Sequence, residues 1–131
     1  MTEILLAIHP WLGYAVFLVV LVVTFLGFGR AKDAREFTAG PYAFGMVLLD
    51  IQVMLGILLY VVGSYWNEHP EIAYIHPALA LAALAVGHAL LGRARRVQMA
   101  ADAHRTAARG LLIATVLVLL SIGVASAPPF L

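Results

Sequence analysis

The chain has 131 residues, 63% of them hydrophobic and 11% charged, with a mean hydropathy of +0.98. A soluble domain carries roughly 25% charged residues and about 45–50% apolar ones, so this composition excludes a water-soluble fold and excludes disorder. The lack of cysteine excludes disulfides, thiolate metal sites and thiol catalysis, and the net charge of +1 conceals an uneven placement of the charges.

A helix needs roughly 20 apolar residues to cross a bilayer, and the sequence offers four such runs, at about residues 4–29, 42–63, 74–92 and 107–127. None has the polar alternation of a strand. The expected fold is therefore all-α: an integral membrane four-helix bundle of up-down topology, one domain over residues 1–131 with no room for a soluble one. The first run follows Met1-Thr2-Glu3, with neither a basic start nor a cleavage site before a soluble domain, and is expected to remain as a helix. It opens with Ile8-His9-Pro10-Trp11-Leu12-Gly13.

The second run contains Asp50, about eight residues in and so roughly 12 Å from the nearer boundary. A carboxyl at that depth costs about 2.5–3.5 kcal/mol, so it is expected to face the bundle and find a partner, with His88 on the third helix the candidate. Proton relay, or a hydrogen bond to a ligating histidine or a propionate, would make Asp50 functional; an interhelical bond would make it structural. Gln52 is close by in sequence, and Met46, Asp50 and Met54 recur at i, i+4 and i+8; the methionines read as flexible core filler.

The third run opens with Ile75-His76-Pro77-Ala78-Leu79, repeating the Ile-His-Pro-x-Leu-x-x-Ala pattern of the first, and both runs end in Gly-Arg. Proline favours the first helical turn, which accounts for Pro10 and Pro77 but not for a histidine before each. Below His76, the residues Ala80, Ala83 and Gly87 form a helical face with almost no side-chain volume, and Gly13 lies four residues below His9. Two imidazoles above such a face leave a slot for a flat macrocycle, and a haem held between two helices needs that arrangement. Small faces also serve close helix packing, and it is the histidines that shift the reading towards a cofactor. His88 and His104 stand near the other end, where a short loop between antiparallel helices could bring them together as a second pair of haem ligands. His88 is turned about 120° from His76 on its helix, and His104, among Asp102, Arg105 and Arg109, reads as a solvated surface histidine. His69, in Asn67-Glu68-His69-Pro70-Glu71, reads as an exposed loop residue.

All eight Lys and Arg fall in two stretches, 30–40 and 93–109, whereas the stretch 64–72 and both ends have none. The positive-inside bias places those two stretches in the cytoplasm and both termini outside, in a cell inner membrane. Trp11, Tyr65, Trp66 and Tyr74 then fall at the outer interface, with Phe37 and Tyr42 at the inner one. The arginines are accounted for by topology and contact with anionic headgroups of membrane lipid, without nucleic acid. No nucleotide loop or hydrolase triad is present.

The His-Pro-x-Leu opening, the four-helix size and the wide spacing of His9 and His76 resemble small transmembrane b-type cytochromes, in particular the ascorbate-reducible cytochrome b superfamily and its minimal bacterial relatives. In that superfamily the first and third helices supply histidines to one haem, and the second and fourth to another. The resemblance carries the first pair onto His9 and His76 as ligands of haem b. It finds no second pair, because the second run offers Asp50 and Met46 and the membrane part of the fourth has no histidine. It implies one haem, and electron transfer near the outer face with a quinol, a redox protein or a larger respiratory complex. Two other functions compete. One is a metal-handling protein with an outer zinc or copper site from His9, His69, His76, Glu68 and Glu71. The other is a cofactor-free accessory subunit, and a homo-oligomer is open to all three.

Overall fold

The computed structural model describes residues 1–126. Four long helices make up the chain: α1 (Thr2–Lys32), α2 (Gly40–Val62), α3 (His76–Ala94) and α4 (Ala100–Ser126). A 3₁₀ turn (Tyr65–Asn67) and a π-helical turn (Glu71–Ile75) connect α2 to α3, and the π turn runs directly into α3. All four are long and apolar enough to cross a membrane, counting Glu71–Ala94 as one span. The chain is thus a multi-pass membrane four-helix bundle. Residue 127, the expected end of the fourth helix, lies outside the described residues.

The elements follow from local chemistry. Gly40-Pro41 starts α2, because proline tolerates the first helical turn, where its missing N–H has no intrahelical acceptor to satisfy. Pro77 does the same for α3. Pro10 differs: α1 begins at Thr2, so Pro10 sits inside the helix rather than in its first turn. The two His-Pro pairs therefore occupy unlike local settings. The largest departure from expectation is at α4, which starts at Ala100, within the stretch 93–109 that reads as polar. Ala100, Ala101 and Ala103 are strong helix formers, and Asp102 complements the positive end of the helix dipole. Asp102 also pairs with Arg105 at 2.7 Å, one turn on.

Around the bundle each helix packs on its neighbours in chain order, and α4 closes the ring against α1. Helices α1 and α3 occupy opposite corners and make no backbone contact. The α3–α4 seam is the most extensive and the α2–α3 seam the thinnest of the four. Small residues make the close seams: Ala103, Ala107, Ala108 and Ala114 of α4 are fully buried. Large apolar side chains such as Trp11, Phe25 and Met54 instead point outward, at 76%, 68% and 65% exposure, where lipid would cover them. Between these lies a core of Val16, Val20, Met46, Leu49, Leu111 and Val118.

Candidate functional site

His9 and His76 meet across the diagonal of the bundle, at the end that carries the 64–72 connection. Their ring centres are 6.1 Å apart and their planes stand at 82°. The α1 and α3 backbones stay apart, so the two rings meet across the width of the bundle.

Each ring is held by a residue from one of the other two helices. The Nδ1–H of His76 donates to the Ser121 carbonyl at 2.9 Å, with the Ser121 hydroxyl 2.8 Å away. That hydroxyl donates in turn to the His76 carbonyl at 3.1 Å. With the proton fixed on Nδ1, the Nε2 lone pair of His76 is free, the arrangement of a metal-binding imidazole. On the opposite corner, Gln52 Nε2 donates to the His9 carbonyl at 2.8 Å and lies 3.1 Å from His9 Nδ1. Gln52 Oε1 is buried without a partner among the described residues. Neither imidazole Nε2 has a hydrogen-bond partner among those residues.

The two histidines border a cavity of about 520 Å³ whose other walls are mostly apolar. Gly13 and Ala80 line it, but the small residues play unequal parts. A Cβ at Gly13 would lie 2.9 Å from Gln52 Nε2, so the space left at Gly13 admits the glutamine rather than a ligand. Gly56, which no sequence motif marks, does the same for His9: a Cβ there would meet the imidazole Cε1 at 2.9 Å. The slot does not continue down α3. Ala83 is packed in the core, and the space beside Gly87 is taken by Met46, whose Sδ would lie 2.5 Å from a Cβ. The cavity floor is instead set by Leu49, Val53 and Val118.

Asp50 and His88 do find each other. His88 Nε2–H donates to Asp50 Oδ1 at 2.8 Å. The pair lies outside the cavity, with side chains 38% and 52% exposed on the thin α2–α3 seam, so the expectation that Asp50 faces the bundle interior is corrected. The reason is helix rotation. Met46 is buried, Asp50 lies about 40° further round, and Met54, about 80° round, is on the outer surface. Gln52, two residues after Asp50, is turned about 200° from it and so reaches the cavity.

His104 is fully buried, correcting the surface reading. The Tyr42 hydroxyl donates to its Nδ1 at 2.6 Å, and its Nε2–H donates to the Glu36 carbonyl at 3.1 Å. Phe37 stacks on Tyr42 and meets the imidazole edge-on, so the two aromatics expected at the inner interface turn inward. His104 and His88 thus have separate partners and do not form a pair. The early start of α4 causes this, because it places His104 between the buried Ala103, Ala107 and Ala108. His69 is exposed, as expected. No three His, Asp or Glu side chains converge among the described residues, so the outer zinc or copper site gains no support from geometry.

No family model matches the chain, and neither a curated protein nor a solved structure is detectably similar to it.

Proposed function

We propose that the chain is a b-type haem protein of the cytochrome b kind. His9 and His76 hold one haem in the cavity, and the protein takes part in electron transfer near the outer face of an inner membrane. One observation carries the reading: two imidazoles from opposite corners of the bundle meet edge-on beside a mostly apolar cavity, with ring centres 6.1 Å apart. Two imidazoles bound on opposite sides of one metal, each about 2 Å from it, have ring centres about 6 Å apart. The volume of about 520 Å³ lies within the roughly 300–1,000 Å³ of small-molecule and cofactor sites.

Ser121 and Gln52 position the two rings. Ser121 keeps the His76 proton on Nδ1 and orients Nε2. On the His9 side, Gln52 Nε2 holds the ring in place by donating to the His9 carbonyl at 2.8 Å, with Nδ1 3.1 Å away. A haem held by His9 and His76 would supply one-electron transfer, with its potential set by these hydrogen bonds and the mostly apolar walls. The clustering of all eight basic residues at the opposite end supports an outward-facing site with both termini outside, where a quinol or a redox protein would meet it.

The test is a reduced-minus-oxidised spectrum of the purified protein. Sharp low-spin b-type bands are expected from the native chain, lost or converted in His9→Ala and His76→Ala and unchanged in His69→Ala. Native bands in both ligand variants would refute the assignment, and an absence of bands with haem supplied would favour the cofactor-free accessory subunit.

A further inference from the structure

At the opposite end of the bundle, where all the Lys and Arg lie, a crevice of about 240 Å³ opens between the end of α3 and α4. Leu90, Arg93 and Val97 line one side, and Asp102, Thr106 and Arg109 the other. Its form follows from Gly110. A Cβ there would lie 2.7 Å from the Leu90 Cβ, so the two helices come together at that point. This contact sets Arg109 level with the last turn of α3, which carries Arg93. The two guanidiniums flank the crevice, and neither has a carboxylate partner among the described residues. The one acid in the lining, Asp102, is neutralised by Arg105 at 2.7 Å. The Thr106 hydroxyl is spent on the Asp102 carbonyl at 2.8 Å.

We propose that this crevice is a specific site for the phosphate of an anionic phospholipid, clamped between Arg93 and Arg109, with the first part of its acyl chain along Leu90. Two unpaired guanidiniums match a phosphate in charge and in hydrogen-bond geometry. The apolar lining at a membrane-spanning helix end favours a phosphate attached to a lipid over a free ion, and basic crevices between membrane helices take such headgroups. The site differs from the diffuse attraction that every basic residue at this end exerts. Arg35 is engaged with Asp33 at 3.9 Å, and Arg95 lies in the connection beyond α3, outside the crevice. The proposal does not depend on the haem reading.

Native mass spectrometry of the full chain in mild detergent tests it, with phosphatidylglycerol and phosphatidylcholine added in turn. One retained phosphatidylglycerol per chain is expected, and no retained phosphatidylcholine. R93Q/R109Q should lower that occupancy about tenfold or more, while R35Q/R95Q, which removes the same charge, should keep it within about twofold. R93K/R109K, which preserves charge and solubility, should fall between, because lysine cannot bind a phosphate in the same forked way. Equal loss in R93Q/R109Q and R35Q/R95Q would show diffuse attraction only, and equal retention of phosphatidylcholine would remove the phosphate specificity. Displacement of the lipid by millimolar inorganic phosphate would assign the site to a free anion. Each of these three outcomes overturns the proposal.

Discussion

Asp50 shows most clearly how a single residue's setting decides its effect. Its carboxylate is bonded to His88 at 2.8 Å, yet both side chains are partly open on the α2–α3 seam. Interhelical hydrogen bonds in membranes average about 0.6 kcal/mol and reach about 1.7, because the separated helices find other partners. Asp50→Asn keeps an acceptor for the His88 N–H and is expected to be nearly silent in unfolding measurements. Asp50→Leu leaves His88 unpaired and should lower stability by about 1 kcal/mol, with a matching coupling in a double-mutant cycle with His88→Leu. A shift in the pH dependence of the redox potential on Asp50→Asn, with stability unchanged, would instead give Asp50 a proton-handling role. Residues of this kind are also where sequence reading is weakest. The Asp50–His88 bond is legible, because a buried-run carboxyl must find a partner, but the outward turn of the pair is not. Gln52 and Ser121 stand out as polar residues in apolar runs, yet which histidine each holds depends on helix rotation, which spacing alone does not supply.

At the scale of the helices, the close approaches are set by glycine, and they differ in what stands opposite. Gly27 faces the Tyr42 ring, with a Cβ 2.7 Å from Cε1 and 3.0 Å from the Ala108 Cβ, so α1, α2 and α4 all converge there. Tyr42 is itself tied to His104 and cannot move aside without breaking that bond. Gly87 faces the flexible thioether of Met46. Gly29 faces nothing within 4 Å. A graded outcome follows for thermal unfolding. Gly27→Ala should cost about 1–3 kcal/mol, and Gly87→Ala less, because a methionine can shift. Gly29→Ala should be neutral or stabilising by up to about 1 kcal/mol. Equal effects at Gly27 and Gly29 would mean that the α1–α2–α4 junction is looser than its geometry implies. The element most poorly read from sequence is the first part of α4. Its arginines and Asp102 mark it as a polar connection, but its alanines build a helix whose inner face is buried and whose outer face carries the charge.

For the whole molecule, composition determines most of the architecture: four apolar runs joined by short connections leave little alternative to an up-down bundle. That order puts α1 and α3 at opposite corners, so the repeated His-Pro signal becomes a pair facing across the centre rather than side by side. The two ends then differ in chemistry. One holds the imidazoles beside a mostly apolar cavity, and the other gathers the basic residues around the buried Tyr42–His104 bond and the arginine crevice. The absence of a second histidine pair at that basic end is what separates a one-haem account from a two-haem one. His104 has both ring nitrogens engaged within the protein, and His88 is bonded to Asp50. The most direct measurement is the haem-to-protein ratio of the purified chain after expression with haem supplied. One b-type haem per chain is expected, falling towards zero in a His9→Ala/His76→Ala double variant that still folds. A ratio of two, a ratio of zero in the native chain, or an unchanged ratio in the double variant would contradict it.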